Sequence, residues 1–164
     1  MPDWIGLATK VLGPVGQRIL KRWLFEAEFL GASRSVYTFE RGDSPFVNIG
    51  VSVRVHNRNN APTTVYVRSI AVRLASGMER GLNRAVMVRP GPISSMDDME
   101  GFNCYEVPSC SSVELTLSTR KHNPSELSEY LENSSPQIVL ELGETFGNRR
   151  KLVGPLKFGG TYNT

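Results

Sequence analysis

The sequence predicts a mainly β chain, an antiparallel β-sandwich of seven to eight strands with an N-terminal amphipathic helix and one short helix near residues 124–132. Three observations predict it. Val47, Ile49, Val51, Val53 and Val55 alternate with Asn48, Gly50, Ser52, Arg54 and His56, the period of a strand buried on one side and wet on the other. Short β-branched runs of this kind recur along the chain, with turn residues between most of them and no internal repeat. A helical spacing of three and four runs through the N-terminal stretch, Trp4 to Leu24. A barrel is the weaker alternative closure for the same strands.

The 164 residues suffice for one core plus an appendage. A hydrophobic content of 40% and a charged content of 21% are those of a globular chain rather than a disordered one. The net charge of +3 is unevenly placed. Of 19 basic and 16 acidic side chains, four (Lys10, Arg18, Lys21, Arg22) and one (Asp3) lie in residues 1–24, leaving 15 of each sign in the body. A neutral body casts no field that would draw in a polyanion, so a nucleic-acid partner is not expected.

The division read from the sequence is a helical segment over 1–30, a sandwich over 31–158 and a flexible tail over 159–164. In the first segment Trp4, Ile5, Ala8, Val11, Leu12, Val15 and Ile19 form an apolar face, opposite Asp3, Lys10, Gln17 and Lys21. Gly13-Pro14 is expected to kink or split the helix, because proline removes a backbone donor and clashes with the preceding turn. Such a face needs an apolar surface to lie on: its own sandwich or a second copy, a groove on another protein, or a membrane interface.

Phe25–Leu30 either finishes the helix or begins a strand. Gly31-Ala32-Ser33 reads as a break, and Ser35–Phe39 as a short strand. Arg41-Gly42-Asp43 matches an adhesion tripeptide but reads as a turn. Asn57 to Pro62 carries turn chemistry that sends the chain back, predicting that Phe46–Leu74 is an antiparallel hairpin. In its second arm Val65 and Val67 share one parity, while Ile70, Val72 and Leu74 share the other, which predicts a bulge near Arg68-Ser69. Further strands are read at 84–88, 102–107, 113–117, 137–142 and 151–158, the last interrupted by Gly154-Pro155. Asn123 as cap and Pro124 at the first position, with Leu127, Tyr130 and Leu131 as a small apolar face, predict the short helix.

Residues 51–55 (Val-Ser-Val-Arg-Val), Asn57-Arg58-Asn59 with Pro62, and the returning run 65–74 resemble immunoglobulin-like or fibronectin-like sandwiches. Within them the stretch is similar to the late-embryogenesis-abundant type 2 (water-stress) domain, although Arg58 stands where that family has proline. The resemblance implies a non-enzymatic domain that binds or buffers other molecules, sometimes held at a membrane by an N-terminal segment. It carries over no catalytic residue.

Little in the sequence spells chemistry. His56 lies on an outward strand face and His122 precedes a helix cap, and no Cys-x-x-Cys, His-x-x-x-His or His-Glu-x-x-His spacing occurs. Cys104 and Cys110 are too few for a disulfide framework; they could pair across the short Tyr105–Ser109 loop, but with no secretory signal they read as free thiols. Asp97, Asp98 and Glu100 are the densest acidic cluster, but their spacing fits no EF-hand. Arg54, Arg58, Arg68 and Arg73 could gather on one face of the hairpin; arginines outnumber lysines 14 to 5 throughout, which points instead to a compositional habit.

The expectation is therefore a non-enzymatic interaction or structural module with no metal or cofactor. Its docking element is the N-terminal helix, through Trp4, Ile5, Leu7, Val11, Leu12, Val15, Ile19 and Trp23. Its partner is another protein or a second copy. In the alternative, a peripheral membrane protein, Lys10, Arg18, Lys21 and Arg22 meet anionic headgroups. No run of about 18 apolar residues occurs and no secretory signal is evident, so the expected location is cytoplasmic, with membrane association as the variant.

Overall fold

The computed structural model describes residues 24–38, 45–82, 87–91, 103–122, 135–145 and 147–163, together with Gly13. The expected N-terminal helix, the short helix near 124–132, the Arg41–Asp43 turn and the acidic loop at 97–100 lie outside the described residues. Gly13 has φ +61°, in the left-handed region that glycine tolerates.

Nine strands are described: β1 (Phe25–Thr38), β2 (Phe46–Asn57), β3 (Thr63–Arg73), β4 (Glu79–Gly81), β5 (Met87–Pro90), β6 (Cys104–Val107), β7 (Ser111–His122), β8 (Gln137–Glu144) and β9 (Arg149–Asn163). They form a two-sheet β-sandwich around one core. The first sheet runs β9–β1–β2–β7–β5, and the second runs β9–β8–β3, with β6 and β4 sharing the far edge of β3. The sandwich has one strand more than expected, and β1 pairs with β9 in parallel.

Each sheet buries one face, as the period-two pattern requires. Val51, Val53 and Val55 of β2 and Leu115 and Leu117 of β7 are fully buried, facing Val65, Val72, Ile138, Leu140 and Leu142 of the second sheet in one core. Burial on this scale stabilises by about 1.5–3 kcal/mol for each such side chain.

The central hairpin does not form. β2 pairs with β1 and β7, whereas β3 pairs with β4, β6 and β8, so the segment Arg58–Pro62 is an arch that carries the chain across the core. Alternation on both arms is satisfied equally by strands side by side and by strands face to face. A second arch, Pro108–Cys110, returns from β6 to β7 beside the first, and Cys110 N–H donates to Asn59 O at 2.9 Å. Asn57 ties the two together. Its side chain is buried; Nδ2 donates to Ala61 O at 2.9 Å, Val107 O at 3.2 Å and Pro108 O at 2.9 Å, and Oδ1 accepts from Asn59 N–H at 3.0 Å.

Two irregularities follow the sequence closely, and three differ from it. The bulge at Arg68 lies where the parity of β3 switches, between Val67 and Ser69. The last strand changes sheet at Gly154-Pro155: residues up to Pro155 pair with β8, and from Leu156 onwards with β1. Strand begins at Phe25, one of the two readings of 25–30 and ahead of the segment boundary drawn at residue 30, because Phe25, Ala27 and Phe29 alternate against Asn57, Val55 and Val53. Gly31 is not a break. The register slips by one residue between Phe29 and Gly31, Leu30 bulges out, and pairing with β2 continues to Tyr37. The expected tail from 159 is also strand to Asn163, held in register by β1.

Candidate functional site

The outer face of the first sheet is built from the outward positions of β1, β2, β7 and β9, and it is graded along the strands. At the arch end the residues are charged. Arg54 lies between Glu28 (3.5 Å) and Glu114 (3.7 Å), Arg58 pairs with Glu26 (2.8 Å), and His56 Nδ1 is 2.6 Å from Ser112 Oγ. In the middle the outward positions are small: Gly31 and Ser33 on β1, Gly50 and Ser52 on β2, Thr116 and Ser118 on β7. With only glycine, serine and threonine at Gly31, Ser33, Gly50, Ser52 and Thr116, the face holds a trough of about 570 Å³, lined also by Phe29, Leu30, Ala32, Pro155 and Lys157. At the far end the face is aromatic, with Tyr37 stacked between Phe46 and Tyr162 at 5.0 and 5.1 Å.

The trough was not predicted. Its small residues are visible in the sequence one strand at a time, but only lateral pairing of β1, β2 and β7 joins them into a floor. Phe29, on the inner side, fills the gap that opens where β9 leaves β1. Its ring lies so close to Gly154 that a Cβ there would sit 2.0 Å from Phe29 Cε1.

Among the described residues, those that bore chemistry in the sequence lie on separate elements. His56 is at an outward sheet position, with Ser112 as its hydrogen-bond partner. Cys104 lies on β6, opposite Tyr66, and Cys110 lies in the second arch, and both are free thiols. His122 ends β7 opposite Phe46. The buried Glu144 accepts from Thr63 Oγ1 and from Asn148 N–H, both at 2.8 Å, which closes the turn between β8 and β9.

The four arginines do not gather on one face. Arg54 and Arg58 belong to the first sheet and its arch, whereas Arg68 and Arg73 belong to β3 in the second; crossing the core separated them. Each pairs with a carboxylate: Arg68 with Glu141 at 3.6 Å, and Arg73 with Glu79 through Nε at 2.9 Å. The Arg73 guanidinium, hydrogen-bonded to Glu79, holds that carboxyl below its ordinary range, with the charge of Lys151 acting in the same direction.

Among the described residues no helix is long and apolar enough to cross a membrane. The eight apolar docking positions and the four cationic ones read from the sequence lie outside the described residues. Leu24, buried, connects them to β1, and its carbonyl accepts from Arg58 N–H at 2.8 Å.

No protein-family model and no curated protein matches the chain, so the likeness of 51–74 to the water-stress domain rests on its motif. Solved structures do resemble it. A FixG-related protein from Vibrio parahaemolyticus is 12% identical, with a TM-score of 0.43 over 83% of this chain and 97% of that one. A protein from Archaeoglobus fulgidus is 14% identical, with a TM-score of 0.45 over 78% and 92%. The ASH/PapD-like domain 7 of human CEP192 is 12% identical, with a TM-score of 0.31 over 84% and 86%. These likenesses say nothing of what this chain binds.

Proposed function

We propose that this protein is a non-enzymatic interaction module, a sandwich scaffold that presents an amphipathic N-terminal segment to a protein partner or to a second copy of itself. The observation that carries the reading is a contrast. Apolar side chains at helical spacing, including both tryptophans, are concentrated in residues 1–24, while the polar groups of the sandwich with the most chemical potential are engaged in holding it together. Asn57 ties the arches, Glu144 closes a turn, and His56 lies on an open face with Ser112. The docking residues are Trp4, Ile5, Leu7, Val11, Leu12, Val15, Ile19 and Trp23.

The experiment is the double variant Trp4→Asp/Leu12→Asp in the full chain, compared with the parent by light scattering and by co-sedimentation with anionic vesicles. Loss of assembly with the sandwich still folded supports the reading; a variant that behaves like the parent in both assays overturns it. One observation favours a membrane surface instead: the whole net charge of the chain lies in residues 1–24. Vesicle binding that falls steeply with salt assigns Lys10, Arg18, Lys21 and Arg22 to headgroups, because charge attraction is screened whereas apolar docking is not.

A further inference from the structure

We propose that the trough on the first sheet binds a small anionic amphiphile, a hydrocarbon chain ending in a carboxylate, and that Lys157 is the group that receives the charge. The site goes beyond the docking reading above and does not depend on it. Three observations carry it.

The first is the apolar end. β9 pairs with β8 as far as Pro155 and with β1 only from Leu156, so among the described residues no strand flanks the first part of β1 on that side. The sheet splits there. Through the split the trough reaches Phe29 and Ala32, both packed against the core, and Leu30 and Pro155 wall it. A hydrocarbon chain laid into the split is removed from water against apolar surface, which an unbroken face of outward polar residues does not provide.

The second is the polar end. Lys157 lines the trough and lies opposite Ser33, which in turn lies opposite Gly50. Arg54, Arg58, Arg68, Arg73 and Lys151 each pair with a carboxylate, whereas Lys157 has no hydrogen bond or ion pair among the described residues. The hydroxyls of Ser33 and Ser52 also have no protein partner among them, while that of Thr116 donates to Gly91 O. An ammonium beside two uncommitted hydroxyls is a donor set for an anion. At the arch end, Glu28 and Glu114 stand around the single Arg54 and repel a carboxylate. The charge complementarity therefore orients the ligand, with its head at Lys157 and its chain towards Leu30 and Pro155.

The third is size and access. A volume of about 570 Å³ lies within the usual range of small-molecule sites, roughly 300–1,000 Å³. From Leu30 to Ser33 is about 10 Å of strand at about 3.3 Å per residue, whereas a partner's strand of ordinary length needs about 17–20 Å. Ser33 is exposed, and Gly31, Gly50 and Ser52 are half-buried, so the floor is open to a ligand arriving from solvent.

The test is a titration of the isotopically labelled full chain with octanoate, kept monomeric so that no lipid surface is present, and followed by amide NMR. The expected result is a saturable, concerted shift at Gly31, Ser33, Gly50, Ser52 and Lys157, with Ser76 and Gly77 in a turn of the other sheet unmoved. Octanol, which has the chain without the charge, is expected to bind about three- to tenfold more weakly, and Lys157→Gln to weaken octanoate by the same factor. Gly31→Val fills the floor; a Cβ there meets nothing within 4 Å, so the sheet is undisturbed while octanoate affinity falls by about tenfold or more. Far-UV circular dichroism confirms that each variant is folded.

No saturable shift up to about 10 mM octanoate overturns the proposal, as do shifts scattered over both sheets. An affinity unchanged in either folded variant also overturns it, Lys157→Gln testing the head and Gly31→Val the floor. Octanol binding as tightly as octanoate removes the anionic head and with it the role of Lys157. A response to anionic vesicles but not to octanoate assigns Lys157 to a lipid surface and overturns the small-molecule site. None of these results touches the docking reading, whose own test changes only Trp4 and Leu12.

Discussion

Asn57 is the residue whose loss the structure prices most clearly. It is 1% exposed and makes four contacts across two arches that belong to different parts of the chain. In Asn57→Ala the carbonyls of Ala61 and Pro108, on exposed residues, can turn to water. The carbonyl of Val107, a fully buried residue, cannot, and Asn59 N–H loses its acceptor. An orphaned buried group costs about 1–3 kcal/mol and an ordinary hydrogen bond about 1 kcal/mol, so the expected loss is about 3 kcal/mol. For a chain of this size that lowers Tm by roughly 6–12 °C. Urea unfolding followed by far-UV circular dichroism measures it. Asn57→Asp separates hydrogen bonding from volume, because a carboxylate keeps the shape and the Asn59 acceptor but turns an oxygen towards three carbonyls. That surrounding raises its folded-state pKa above the unfolded value of about 3.9. The variant is therefore least impaired below that value and loses further stability as pH rises through the raised pKa. A loss under about 1 kcal/mol for Asn57→Ala, or an Asn57→Asp chain as stable as the parent at neutral pH, would refute the reasoning.

Two further predictions concern packing and charge. Gly154→Ala puts a methyl group 2.0 Å from the Phe29 ring, which is expected to cost about 1–3 kcal/mol as an overpacked core; adding Phe29→Leu is expected to restore part of that, and a double variant no better than the single would count against this contact. Arg73→Ala is expected to move the titration midpoint of Glu79 up towards the ordinary glutamate range, read by carboxyl NMR. Because the folded-state value is depressed, the pair's small surface contribution is present above the ordinary pKa and fades as pH falls through the lowered one. An unmoved midpoint would show that Arg73 is not the cause.

What the sequence by itself determined is the content of each strand and which of its faces is buried. The valines of β2 turned inward as their alternation requires, and the parity switch of β3 became a bulge at Arg68. Side-chain periodicity is a local property, written in consecutive residues. The tertiary structure alone decided which strands are neighbours. β2 and β3 face each other across the core instead of pairing, β9 joins both sheets, and Gly31 lies within a continuous strand. Strand edges expose the same N–H and C=O groups whatever the sequence, so pairing is chosen by fit over the whole core and by distant ties such as Asn57 to Val107 and Pro108. The trough on the first sheet has the same origin. Gly50 and Ser52 are ordinary outward residues on one strand, and they become a floor only when Gly31, Ser33, Thr116 and Ser118 are set beside them.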